Sequence, residues 1–254
     1  MAPLRAALER GAATVSRHAR RRGWLQLPPR EDFDVSVKPL PYLATYEQVL
    51  APFRYRRCAL LELGVWGGDS LAMWRDGLPR ATIIGLDLDP PNIDLGPRVH
   101  LVRGDQTDGE LLRSVREQHA PGGFDVIIDD ASHLGVTTAR SLQRLYTDHL
   151  RSGGVYFIED WGTGYLPDWP DGQEIDGTVG AGELDRSPSD ANPDGSRPIH
   201  FPSHDVGMVG LVKRLVDHVA AGTTLTHLAA EHVHEPLAIS GLEVYDGVVV
   251  LRKP

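Results

Sequence analysis

From residue 58 onward, short continuous apolar runs alternate with stretches whose apolar positions recur every three or four residues. The runs are Cys58–Leu63, Thr82–Leu88, Val99–Val102, Phe124–Ile128 and Val155–Ile158, each of strand length. Leu71, Trp74 and Leu78, then Leu111, Leu112 and Val115, then Leu142, Leu145, Tyr146 and Leu150 fall between them at helical spacing. Residues 42–53 precede the first run, with Tyr42, Tyr46, Val49 and Leu50 on one helical face. A strand buried on both faces reads as an unbroken apolar run, and strands alternating with amphipathic helices build a parallel sheet covered on both sides. The pattern therefore predicts an α/β fold with a Rossmann-like doubly wound sheet.

Beyond Trp161 the texture changes. Residues 162–198 are rich in Gly, Pro, Asp and Ser, and a loop this long is expected to act as a lid over a site. Val209–Val219 has the spacing of a further helix. Leu242–Val250 reads as two strands joined by an Asp246-Gly247 turn, completing a seven-stranded sheet with one antiparallel strand. Upstream, Leu4, Leu8, Ala12 and Val15 recur at roughly helical spacing among six arginines in the first 22 residues. Glu9 and the lack of a long apolar core favour a plain helix over a targeting segment. Prolines break residues 27–41 into a linker. The expected division is an N-terminal helix and proline-rich linker over 1–41 and one domain over 42–254.

Composition narrows the function classes. The 254 residues carry 26 basic and 35 acidic side chains, a net charge of −9, which argues against a nucleic-acid partner. The single cysteine, Cys58, allows no intramolecular disulfide and points to a reducing, cytoplasmic setting. No apolar run approaches 18 residues, so no membrane span is expected. Only Lys38, Lys213 and Lys253 are lysine; with the abundant Ala, Gly and Pro, the bias to arginine reflects a GC-rich genome rather than mechanism.

Candidate chemistry gathers where the strands end. The first strand runs into Glu62-Leu63-Gly64-Val65-Trp66-Gly67-Gly68-Asp69-Ser70, a glycine loop opening a helix. Such a loop lets a backbone approach a ligand, although a tight strand–helix turn uses the same residues. The second strand ends at Asp87, placed to accept hydrogen bonds from ribose hydroxyls or else to cap a helix. Asp89-Pro90-Pro91-Asn92 after it reads as a turn. At the third strand end, Asp105 and Gln106 can meet an adenine edge or serve as a bare helix cap. Together the three ends suit an adenosine ligand without a pyrophosphate.

The fourth strand runs into Asp129-Asp130-Ala131-Ser132-His133 and the fifth into Glu159-Asp160-Trp161. Carboxylates crowded at adjacent strand ends raise each other's pKa unless a cation neutralises them. Oxygen ligands select a hard ion such as Mg²⁺, and His133 beside it could take a proton. Helix capping by Asp129, Asp130 or Ser132, with a structural His133, is the alternative. His200 and His204 are four apart, but Pro202 between them spoils a helical ligand pair. They read as surface residues, as do His227, His232 and His234.

These residues resemble the class I S-adenosylmethionine-dependent methyltransferases, specifically the metal-dependent sugar O-methyltransferases of macrolide biosynthesis, of the mycinamicin and macrocin type. The resemblance is carried by Tyr42-Leu43-Ala44-Thr45-Tyr46-Glu47, Gly67 to Trp74, Gly104-Asp105-Gln106, Ile127 to His133 and Ile158-Glu159-Asp160. It covers residues 42–161, and Gly241 to Lys253 more loosely. It implies that Asp130, Glu159 and Asp160 hold Mg²⁺ and that His133 is the general base. It also implies that Glu62, Gly64, Gly68, Ser70, Asp87, Asp105, Gln106 and Asp129 surround S-adenosylmethionine. The implied activity is methylation of a sugar hydroxyl on a glycosylated natural product by a homo-oligomer, without nucleic acid or membrane. A phenolic, catechol or amine acceptor, or a nucleotide-binding module without turnover, are the rival readings. The larger members carry an N-terminal auxiliary domain, where this chain has about 40 residues.

Overall fold

A computed structural model describes residues 23–27, 38–166, 169–173, 205–224 and 237–254. The expected N-terminal helix over 1–22, most of the proline-rich linker, the body of the 162–198 loop and His200, His204, His227, His232 and His234 lie outside the described residues.

Seven strands form one sheet: β1 Ala59–Leu63, β2 Thr82–Asp87, β3 Val99–Arg103, β4 Phe124–Asp129, β5 Leu150–Glu159, β6 Gly241–Val244 and β7 Val248–Arg252. Their order is β3-β2-β1-β4-β5-β7-β6. The first five are parallel and β7 runs antiparallel between β5 and β6, as the pattern predicts. The helices are α1 Leu40–Leu50, α2 Asp69–Gly77, α3 Gly109–His119, α4 Gly135–Arg144, the short α5 Pro170–Gln173 and α6 Gly207–Thr224. Among the described residues no helix is long and apolar enough to cross a membrane.

The unbroken apolar runs conceal a strict alternation. Leu60, Ile83, Val126, Ile128, Val155, Phe157, Val248 and Val250 face one core, packed with Tyr42, Tyr46, Val49, Leu71 and Trp74 of α1 and α2. Their neighbours Leu61, Ile84, Ile127, Tyr156, Ile158, Val249 and Leu251 face the other, under Leu112, Val115, Leu142, Met208 and Leu211. Each strand residue points opposite to the next, so a sheet covered on both sides needs apolar side chains at every position. Leu25 is fully buried in the first core, its N–H bonded to Glu47 Oε1 at 2.7 Å, so residues before 42 also pack on the domain.

Two elements depart from the expected pattern. The helix predicted through Leu150 stops at Arg144 and widens into a π turn over Leu145–His149. The Lys253 ammonium takes up the carbonyls of Tyr146, Thr147 and Leu150 there. β5 begins at Leu150 rather than Val155, and its polar Arg151-Ser152-Gly153 stretch is exposed, which hid it from an apolar count. The Asp246-Gly247 turn is closed in both directions between Tyr245 and Val248, with φ +74° at Gly247. Its Gly247 carbonyl also accepts the Asp160 N–H at 2.7 Å, tying the hairpin to the end of β5.

Gly64 has φ +81°, and a Cβ there would run into the Asp130 carbonyl. The ends of β1 and β4 thus close together only with glycine at 64. A left-handed backbone costs other residues about 1–2 kcal/mol, so Gly64→Ala is expected to lower Tm by roughly 2–8 °C, before any cost of the collision. Thermal denaturation followed by circular dichroism reads this; an unchanged Tm would show that the strand ends can part freely.

Candidate functional site

The parallel order brings the carboxyl ends of β1, β2, β3, β4 and β5 to one edge, with Leu63 in register with both Leu86 and Asp129. Three non-glycine residues among those described hold a left-handed backbone, and all lie at this edge: Trp66 (φ 49°), His133 (φ 50°) and Asp160 (φ 52°). Such strain concentrates where surrounding structure over-determines a functional geometry.

On the β1–β3 side, Asp87 caps no helix. Its Oδ2 accepts the N–H groups of Val65 at 2.7 Å and Trp66 at 3.3 Å, and its Oδ1 accepts Asp89 N–H at 2.8 Å. The carboxylate thereby shapes the glycine loop. Gly68, at φ 86°, starts α2 without a side-chain cap, and Ser70 Oγ donates to Glu62 Oε2 at 2.7 Å. Asp105 is exposed and accepts the N–H and hydroxyl of Thr107, which hold its carboxyl below the usual range. The α3 cap is Asp108 rather than Asp105 or Gln106. Gln106 Nε2 turns inward to Asp129 at 3.1 Å and Ser141 at 2.9 Å. Asp129 is buried, and also accepts Ser141 Oγ at 2.9 Å and Tyr156 OH at 3.0 Å. Burial pushes its carboxyl up, and these donors oppose the shift. Gln106 and Asp129 are thus tied to each other beneath the edge.

On the β4–β5 side the capping alternative also fails, because α4 starts at Leu134 without a side-chain cap. Asp130 divides its oxygens between two groups. Asp130, His133 and Asp160 form an outer group, and Glu62, Asp130 and Glu159 an inner one; in each, the candidate ligand atoms lie within 4.8 Å of one another. Asp130, Glu159 and Asp160 therefore span both groups through the shared Asp130. His133 Nε2 stands 3.8 Å from both Asp130 Oδ1 and Asp160 Oδ2. Its carbonyl accepts Trp169 Nε1 at 2.8 Å and Thr163 Oγ1 at 3.3 Å, which holds the strained backbone in place.

Three partners of these acids lie outside the sequence-derived set. Tyr42 OH donates to Asp160 Oδ1 at 2.6 Å, and Tyr46 OH donates to Glu159 Oε1. Burial, then the neighbouring carboxylate, pushes both phenols up. Lys38, 6% exposed, places Nζ 2.5 Å from Glu159 Oε1, 2.8 Å from Asp130 Oδ2 and 3.4 Å from Glu62 Oε1. The available signal was the spacing of Lys38, Tyr42 and Tyr46, four apart, with polar tips on an otherwise apolar face.

Four carboxyl groups face one ammonium, so acidic groups are in excess. Burial disfavours the Lys38 ammonium, but Asp130, Glu159 and Glu62 outweigh it and raise its pKa well above the ordinary value. Burial, then the Asp130 charge, pushes the Glu159 carboxyl up, against the pull of Lys38. Glu62 is raised by burial, and its Oε1 is buried without a hydrogen-bond partner. Converging carboxylate oxygens in excess over the one ammonium, with Glu62 Oε1 buried and without a hydrogen bond, fit a hard divalent cation.

No model of a known protein family matches the sequence. Mycinamicin VI 2''-O-methyltransferase of Micromonospora griseorubida is 38% identical over 144 residues, covering 52% of this chain and 35% of that protein. Demethylmacrocin O-methyltransferase of Streptomyces fradiae is 30% identical over 215 residues, covering 82% of this chain and 47% of that protein. The chain thus spans between a third and a half of the length of these relatives. Among solved structures, the MycE methyltransferase from the mycinamycin biosynthetic pathway, in complex with Mg and SAH, is 29% identical with a TM-score of 0.59. That match covers 83% of this chain and 48% of the other. The seven-stranded mixed sheet is the α/β methyltransferase fold, and the relatives are sugar O-methyltransferases of macrolide and polyketide pathways.

Proposed function

We propose that this chain, a relative of the sugar O-methyltransferases of antibiotic pathways, transfers a methyl group from S-adenosylmethionine to a sugar hydroxyl of a glycosylated small molecule. The observation that carries the reading is His133 Nε2, at 3.8 Å from each of two carboxylates, on the same sheet edge as the glycine loop shaped by Asp87. The related MycE structure contains Mg and SAH, which is S-adenosylmethionine after loss of its methyl. The reading places the enzyme in the cytoplasm, as a homo-oligomer without a nucleic-acid partner; the one cysteine, Cys58, is buried as a free thiol.

S-adenosylmethionine supplies an electrophilic methyl, and a divalent ion held by Asp130, Glu159 and Asp160 supplies Lewis acidity toward the acceptor hydroxyl. The chain's own groups do the rest. Gly64 and Gly68, both at positive φ, shape the loop that would present its backbone to the cofactor. Asp87 offers carboxylate oxygens to the ribose while anchoring the loop, Asp105 flanks the adenine, and Gln106 holds Asp129 beneath the edge. Glu62, Ser70 and Asp129 brace this cradle from below. His133 Nε2 takes the hydroxyl proton as that oxygen becomes methylated. Trp169 and Thr163 fix His133 so that little reorientation is needed during transfer.

The direct test is an intact-mass screen of glycosides with S-adenosylmethionine and Mg²⁺, scoring addition of one methyl. Methylation of phenols or amines, with every sugar hydroxyl untouched, would replace the acceptor class. Asp87→Ala is expected to weaken S-adenosylmethionine binding by about 1–3 kcal/mol, the scale of lost charged hydrogen bonds. Calorimetry measures this. Tight NAD binding without S-adenosylmethionine binding would overturn the cofactor assignment.

A further inference from the structure

Among the described residues, Glu62, Asp130 and Glu159 form one of the two groups compact enough to hold a metal ion, and the Lys38 ammonium lies against an oxygen of each. Lysine is a deliberate fit there. An ammonium is a compact charge with three donors; it reaches Asp130 Oδ2 and Glu159 Oε1, and holds Glu62 Oε1 at 3.4 Å as an ion pair without a hydrogen bond. A planar guanidinium does not match that arrangement. Lys38 lies outside every helix and strand, immediately before the Pro39 cap of α1, so its withdrawal breaks no backbone ladder.

The same oxygens cannot serve two cations closely. Asp130 Oδ2 and Glu159 Oε1 are already within 2.8 Å of Nζ, and a second positive charge beside it is repelled more strongly in a buried site than in water. Removing the ammonium with nothing in its place leaves Glu62 and Glu159 buried and uncompensated, which is strongly unfavourable.

We propose that Lys38 is a built-in competitor of the divalent ion. Its ammonium pairs with Glu62, Asp130 and Glu159 in the ion-free protein and leaves those oxygens when the ion binds. Ion loading and the position of the chain entering α1 then form one equilibrium. This rests on the reading above that Asp130 and Glu159 help hold the ion.

The experiment is calorimetric titration of the full chain with Mg²⁺, comparing wild type with Lys38→Met and Lys38→Arg. Lys38→Met is expected to bind Mg²⁺ at least tenfold more tightly than wild type. Lys38→Arg, which keeps the charge but not the fit, should bind Mg²⁺ more weakly than Lys38→Met. Without Mg²⁺, Lys38→Met should melt below wild type, and Mg²⁺ should raise its Tm by more. Equal or weaker Mg²⁺ binding by a folded Lys38→Met overturns the competition and leaves the ion site standing. Failure of both wild type and Lys38→Met to bind Mg²⁺ overturns the ion site as well. If Lys38→Met does not fold, amine acetylation of wild type decides the matter, read peptide by peptide with Lys213 and Lys253 as references. Lys38 should be shielded without Mg²⁺ and labelled with it; unchanged labelling overturns the proposal.

Discussion

Stripping divalent cations is expected to abolish methyl transfer, and Mg²⁺ to restore it. The argument is electrostatic. Four carboxylates converge at the ends of β1, β4 and β5, and the structure supplies one ammonium against them. An acceptor hydroxyl brought to this edge meets net negative charge, which opposes loss of its proton unless a cation reverses the local field. Asp160→Ala removes one proposed ligand, the one also held by Tyr42 and by the Gly247 carbonyl. Turnover should fall by more than the roughly 10–100-fold that loss of a ligand's outer partner costs. S-adenosylmethionine affinity should barely change, because Asp160 lies on the acceptor side, away from the Asp87 loop. Full turnover in excess chelator, with metal-free protein verified by elemental analysis, would remove the ion from the mechanism.

His133→Ala is expected to lower kcat by about 10²–10⁴, the usual contribution of a general base, with cofactor affinity nearly intact. A sugar hydroxyl is a poor nucleophile while it holds its proton. Of the groups at this edge, Asp130, Glu159 and Asp160 are assigned to the ion, and Tyr46 and Tyr42 also donate to Glu159 and Asp160. His133 Nε2 has two carboxylates 3.8 Å away and no closer side-chain partner among the described ion pairs. It is the group left to exchange a proton. Added imidazole should restore part of the rate in the alanine variant, a response that a purely structural histidine does not give. Wild-type turnover by His133→Ala assigns deprotonation elsewhere.

Most of the fold was legible before any coordinate was known. The five apolar runs correspond to β1 through β5, with boundaries one residue away in most cases, and the terminal hairpin falls around Asp246-Gly247. Apolar periodicity and glycine placement are local properties of the chain, and they carry the burial and backbone demands of each element. The strand-end position of the acidic residues was legible for the same reason. Where polar strand residues broke the pattern, as at Arg151 to Gly153, the count failed.

The partnerships within the site were decided by tertiary structure alone. Lys38 meets Asp130 and Glu159 across 92 and 121 residues, and Tyr42 meets Asp160 across 118. Whether Asp130 turned inward, outward or both depended on which strands became neighbours and in what register. Period-two alternation assigns a side chain to a face of the sheet, but not to a partner arriving from another element. The linker reading of residues 27–41 missed Lys38 for this reason: composition marks a segment as irregular, while the carboxylates that draw its ammonium into the core become a single charged cluster only after the sheet has closed.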